Sequence, residues 1–184
     1  MMLTAIAYTI LAFIIIGLII YVISIFNQLV MLRLNIDKCF HNIDILLKQR
    51  ADEIPQLVSI AKQAMQYEQQ TLEQLTELRS RFLQAKNTEQ KIQIANIINQ
   101  LTPAIFARVE AHPDLKTNEN MLALQSRISE IENAISDRME FFNDSVTLYN
   151  IAIHEFPNLI LAKLPWYRDR SLLKLEHDYH GIKR

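Results

Sequence analysis

The chain has 184 residues, half of them apolar and 21% charged, with a formal net charge of −1 at pH 7. Its two glycines, Gly17 and Gly181, and its single cysteine, Cys39, argue against a glycine-rich phosphate-binding loop, hairpin turns that need positive φ, and disulfides or cysteine-rich metal sites. Balanced charge without a basic run argues likewise against a nucleic-acid partner.

The charge is unevenly spread, because all 19 basic and 20 acidic residues lie from Arg33 onward. Ahead of them, Leu3 to Phe26 forms 24 residues without a charge, fifteen of which are Leu, Ile, Val or Phe. As a helix this segment is about 36 Å long, against ~30 Å for the hydrocarbon core of a bilayer. A cleaved signal peptide would need a basic start, a shorter apolar run and a small-x-small cleavage site. The chain start has no Lys or Arg, and Ile23–Asn27 offers no such site. The segment therefore reads as a retained transmembrane anchor that meets the membrane lipid bilayer through residues 3–26. Arg33, Lys38, Lys48 and Arg50 follow it and no basic residue precedes it. The positive-inside rule then predicts the N-terminus outside and the polar part in the cytoplasm. Cys39 reads as a small apolar residue near the membrane end of a helix.

Past the anchor, the apolar period is helical. One stripe runs through Leu29, Leu32, Ile36, Phe40, Ile43, Leu47, Ile54, Leu57, Ala61, Ala64, Leu72, Leu75, Leu78 and Phe82, with Arg50 and Glu68 at positions where the rhythm asks for an apolar residue. Pro55 removes a backbone donor inside this stripe, yet the phase continues across it. Either one very long helix is kinked there, or it breaks after Arg50 and restarts near Ile54. A further amphipathic segment, Ile94, Ile98, Leu101, Ile105 and Val109, lies between Thr88 and Glu110 and contains Pro103. The turn Ala111–Asp114 reverses the chain. Leu124, Ile128, Ile131, Ile135, Met139, Phe142, Val146, Tyr149, Ile153 and Phe156 then follow at spacings of three and four, one continuous stripe on a long helix. Thr117 and Asn118 are good N-caps, Glu119 suits the first turn, and Pro157 marks the stop. No segment of useful length alternates with period two. The prediction is an all-α protein: a single N-terminal transmembrane helix (1–28), an antiparallel bundle of long, kinked helices (29–158), and a C-terminal tail (159–184).

Chemistry-bearing residues are few. Arg50 sits in the apolar stripe, with Asp52, Glu53 and Glu68 as available partners. It reads either as a paired arginine that fixes helix register or as part of a polar groove along the kink at Pro55. Asp114, Lys116, Glu119 and Asn120 read either as a turn with helix caps or as a corner where a partner docks. His177 and His180 are three apart, a weak metal signal. None of the five histidines has a Glu three residues earlier, so the di-iron pattern of helix bundles is missing. The residues give no vehicle for catalysis, no metal site and no cofactor.

Several blocks resemble the LemA family of bacterial membrane-anchored proteins. They are Asn27-Gln28-Leu29-Val30, Leu32-Arg33-x-Asn35, Ile43 to Arg50, and Asp52-Glu53-Ile54-Pro55-Gln56-Leu57-Val58, followed by Glu68 and Leu72. A second group begins with Pro113-Asp114-Leu115-Lys116-Thr117-Asn118-Glu119-Asn120-Met121 and continues through Leu124-Gln125, Glu132-Asn133, Arg138, Phe142-Asn143-Asp144-Ser145-Val146, Tyr149-Asn150 and Phe156-Pro157-Asn158. Phe40 stands where the family commonly has Trp, and Tyr67 where a His often precedes the Glu. The tail from Trp166 to Arg184 carries none of the resemblance. What the resemblance implies is a kinked bundle of long helices on one anchor in the bacterial inner membrane. It implies no enzyme; the molecular role of the family is poorly defined, and one branch is associated with magnetosome formation. Two functions fit these readings. One is a scaffold that recruits unknown protein partners, a second copy of the chain among them. The other is a lipid-surface role in which Leu159–Tyr167 engages the bilayer, since Trp166 and Tyr167 beside Lys163 and Arg168 suit an interfacial position.

Overall fold

An uncharged apolar run joined in phase to an amphipathic stripe calls for one helix, not two. The computed structural model, which describes residues 2–64, 69–112, 115, 118–163 and 166–174, has a helix α1 that runs unbroken from Met2 to Ala64 with Pro55 inside it. Of the two readings at Pro55, the continuous helix holds and the break after Arg50 does not. Helices α2 (Gln69–Gln84), α3 (Thr88–Glu110), α4 (Glu119–His154) and α5 (Asn158–Ala162) follow. Helices make up 88% of the described residues, and none of these residues forms a strand. Glu68, Asp114, Lys116, Thr117, His177 and His180 lie outside the described residues.

The chain divides into two compact units, Met1–Phe40 with Glu140–Leu172 and His41–Met139 with Leu173–Arg184, so α1 and α4 contribute to both. In the first unit α1 and α4 run antiparallel. The Asn35 amide donates to Ser145 Oγ at 3.0 Å, and Phe40 meets Phe142 edge to face at 6.2 Å. Ser145 gives its own proton to the Phe141 carbonyl at 2.9 Å, which leaves its oxygen free to accept from Asn35 and from the Cys39 thiol at 3.5 Å. Ile25, Leu29 and Ile36 of α1 are buried, as are Phe142, Val146, Tyr149 and Ile153 of α4. Phe156 departs from the expected stripe. It is 81% exposed, because α4 ends at His154 and the residue before a proline is pushed out of the helical region. The stripe therefore closes at Ile153.

Beyond α5, the chain returns along α4. The Asn150 side chain pairs with the Arg170 backbone in both directions, donating to the carbonyl and accepting from the N–H at 2.9 Å each. One turn on, His154 Nε2 and the Asp169 carboxylate lie 3.0 Å apart.

The second unit is a four-helix arrangement of residues 41–64 of α1 with α2, α3 and residues 119–139 of α4. Its cross-links fix the directions: Asp44 meets Lys91 and Arg50 meets Asn99, so α1 and α3 run parallel. Arg127 of α4 meets Gln56 and Glu53, and Glu110 of α3 meets Gln125, with α4 running the other way. The cap expected at Asn118 is present, its Oδ1 accepting from the N–H groups of Asn120 at 2.9 Å and Met121 at 3.4 Å. Asn87 caps α3 in the same manner, at 2.8 Å from the Glu89 N–H. Helix α3 buries two stripes where the sequence suggested one. Of the expected set, Ile94, Ile98, Ile105 and Val109 are buried and Leu101 is half-buried, and Ile92, Ala95, Asn99, Thr102 and Phe106 form a second, offset by one residue. Its polar and small members hide it from a hydrophobicity count.

Pro55 is tolerated for a specific reason. Lacking an N–H, it leaves the carbonyl of Ala51, four residues back, without its helical donor. Arg79 of α2 supplies the replacement, with Nε donating to the Ala51 carbonyl at 3.0 Å. Its other end lies 3.6 Å from the Asp52 carboxylate. Arg79→Ala thus strands a carbonyl at a buried residue and costs ~1–3 kcal/mol. Restoring the helical donor with Pro55→Ala shrinks that cost, so the pair gives a non-additive double-mutant cycle in thermal melts of the full chain in detergent. Equal losses from Arg79→Ala in both backgrounds would refute the compensation.

Candidate functional site

Arg50 occupies a position of the α1 stripe flanked by Leu47, Ala51 and Ile54, all buried. A side chain there points into the interior of the second unit, and Arg50 is only 3% exposed. An arginine at such a point has to spend its donors inside the protein. One terminal nitrogen donates to Asn99 Oδ1 at 3.1 Å and the other to the Ala95 carbonyl at 2.9 Å. These acceptors lie four residues apart on α3, one turn of one helical face, which matches the fork of a guanidinium. Burial pushes the guanidinium below its ordinary range, and the negative charge of Glu132 on α4 opposes that push. Arginine nevertheless remains protonated in proteins, so the group is a fixed cation linking α1, α3 and α4. It is not a proton carrier.

Among the described residues, those singled out in the sequence do not converge on it. Asp52 is exposed and faces Arg79. Glu53 pairs with Arg127 at 3.1 Å, and the same guanidinium donates to Gln56 at 2.7 Å. Pro55 is exposed on α1, one turn from the carbonyl that it leaves open. Glu119 and Asn120 are exposed in the first turn of α4, about 20 Å along that helix from Glu132. The charge set against Arg50 is that of Glu132 rather than Asp52 or Glu53: Asp52, two residues on, points off Arg50's face and meets Arg79, and Glu53, one turn on, gives its carboxylate to Arg127. Glu132 is four residues after Ile128 and three before Ile135, both buried, so it shares their face. That spacing is the signal that identifies it. Asn99 could have been found by the same route, from its place in the second stripe of α3.

A further clamp lies two turns toward the N-terminus of α1. Lys91 reaches both oxygens of Asp44, at 2.6 and 2.7 Å, and its ammonium sits 5.9 Å from the centre of the Phe82 ring. These polar contacts tie α1 to α2 through Arg79, to α3 through Lys91, Ala95 and Asn99, and to α4 through Arg127. Among the described residues, no group of three or more His, Cys, Asp or Glu side chains is placed to hold a metal ion. The site's chemistry is that of a buried, satisfied cation.

The model of the LemA family matches residues 39–181, most of the chain. The chain belongs to the LemA family. The matched region starts beyond the apolar segment, contains Arg50, Pro55, Asn99 and Glu132, and runs past the blocks that carried the resemblance into the tail. No curated protein matches the chain. LemA is not a known enzyme family.

Arg50→Ala in this LemA protein removes the buried donors to Asn99 and the Ala95 carbonyl and the cation set against Glu132, and is expected to cost ~3–5 kcal/mol. Arg50→Lys keeps the charge but loses the fork, and recovers part of that. Asp52→Ala, which removes an exposed pair, costs at most ~1 kcal/mol. Thermal unfolding of the three variants, followed by circular dichroism in detergent, checks the order. Equal losses for Arg50→Ala and Asp52→Ala would show that the buried cation is not the centre of the unit.

Proposed function

We propose that this LemA-family protein is a single-pass, non-catalytic helical scaffold in the bacterial inner membrane, with its N-terminus outside and its folded units in the cytoplasm, recruiting partner proteins there. The observation that carries the reading is the continuity of α1. Its apolar stretch is long and apolar enough to cross a membrane and is almost wholly exposed rather than packed against the rest of the protein. At roughly 0.3–0.6 kcal/mol per large apolar residue, moving the fifteen Leu, Ile, Val and Phe residues into hydrocarbon is favourable by several kcal/mol. The same helix supplies Ile25 and Leu29 to the core of the first unit, so no flexible linker separates span from fold. Packed helices continuous with a membrane anchor suit the holding of partners more than the turnover of a substrate.

Carbonate-washed membranes are expected to retain the full chain, and deletion of residues 3–26 to release it. Mild-detergent purification from the native host is expected to recover bound proteins, and repeated recovery of the bare chain would defeat the scaffold reading. For orientation, Gln90→Cys in a Cys39→Ser background puts one thiol on the exposed face of α3. It should resist an impermeant maleimide in intact cells and react after lysis; labelling in intact cells would reverse the topology.

A further inference from the structure

The first unit carries a notch of about 350 Å³ between α1 and the returning tail, just past the apolar segment. Its walls change character along α1 in one direction. Phe26 and Val30 come first, then Arg33 and Leu34, then Asp37, with Trp166 and Tyr167 closing the other side. Arg33 lies seven residues past Phe26, about 10 Å along the helix, and Asp37 one turn, about 6 Å, farther. Helical side chains lean toward the N-terminus, here toward the membrane, and arginine reaches further by extending its stem along apolar surface. The Arg33 guanidinium therefore falls within the headgroup layer that adds roughly 5–7 Å to each side of the hydrocarbon core.

Neither Arg33 nor Asp37 makes a hydrogen bond or an ion pair with any described residue. This contrasts with Arg50, Arg79, Lys91 and Arg127 in the second unit, each of which is paired. Trp166 is 67% exposed and Phe26 41%, an aromatic and apolar rim of the kind that sits at a bilayer interface. Burial and the neighbouring Tyr149 push the Tyr167 phenol above its ordinary range, with Arg33 pulling against them. Its hydroxyl thus remains a neutral donor at the edge of the notch.

We infer that this notch binds one phospholipid of the adjoining leaflet whose headgroup carries a primary ammonium beside its phosphodiester, as in phosphatidylethanolamine. The inference rests on the reading that residues 3–26 cross the membrane. An acyl chain runs along Phe26 and Val30, and Arg33 takes the phosphate. The ethylene spacer then puts the ammonium within one helical turn, where Asp37 accepts its N–H groups. A glycerol headgroup has no cation for Asp37 and brings the lipid's net negative charge against it. The order apolar, cationic, anionic, read away from the membrane, is complementary to the first lipid and not to the second.

The test uses the full chain in nanodiscs of equal parts phosphatidylethanolamine and phosphatidylglycerol, with bound lipid read by native mass spectrometry after release. The expected result is retention of the ethanolamine lipid over the glycerol lipid by about tenfold, the size of one charge-assisted hydrogen bond. Asp37→Asn should erase the preference while keeping lipid bound, and Arg33→Gln should lose both lipids. Both side chains are exposed and bond to no described residue, so the variants should melt with the natural chain, and Trp166→Ala provides a third that weakens retention without touching a charge. No preference in the natural chain, or a preference that survives Asp37→Asn, overturns the inference. Carbonate extraction of the same material separates the two failures. A chain that stays in the membrane without lipid preference sinks the notch alone, whereas one that is released sinks the span on which both readings stand.

Discussion

One helix carries two kinds of surface. The first part of α1 is uncharged, apolar and exposed, with its backbone bonds closed within the helix, long and apolar enough to cross a membrane, and the rest is dressed for packed protein cores. Because there is no break between them, side-chain chemistry must change while the backbone does not. The change is abrupt: Ile25 and Leu29 already belong to a protein core, and Arg33 follows within one turn of Leu29. Everything downstream is assembled against this helix, so its continuity through Pro55 is the constraint on which the second unit depends. Proline inside a helix normally costs ~3 kcal/mol or more. Here a guanidinium from α2 donates to the carbonyl that Pro55 leaves open, so a local defect becomes a cross-link between two helices. The polar groups nearby follow the same logic, with Asp44, Glu53 and Gln56 of α1 each engaging a cation from another helix.

How much of this was legible follows from where each signal lives. The all-α class, the apolar N-terminal helix and the span of α4 were readable because each is a local pattern written in large residues, and Leu124 to Ile153 keeps its phase for eight turns. The Asn118 cap was readable because capping is decided within four residues. Phe156 misled because spacing alone continued the stripe, while Pro157 had already ended the helix. The surroundings of Arg50 were not readable from its own neighbourhood. Asp52 and Glu53 are near in sequence but are taken by Arg79 and Arg127, whereas Asn99 and Glu132 are 49 and 82 residues away and meet Arg50 only through the register of three helices. Arg79 was hidden for a different reason, since its acceptor is a backbone carbonyl, which no side-chain pattern reveals.

The buried cation also bears on why four amphipathic helices settle in one register. Leucine and isoleucine stripes grip almost equally well after a shift of one turn, because the apolar contact is non-directional. Arg50 does not have that freedom. Its two donors need acceptors four residues apart on α3, and its charge needs Glu132 on α4. Sliding α3 by one turn would move Asn99 away and leave a guanidinium in the core with one partner or none, at a cost of several kcal/mol. A well-packed apolar residue at position 50 would match the stability of the correct register and penalise the wrong ones far less. Such a residue specifies its alternatives poorly, as polar positions in coiled-coil seams illustrate. A single defined register in turn fixes which side chains the helices of this unit present on their exposed faces.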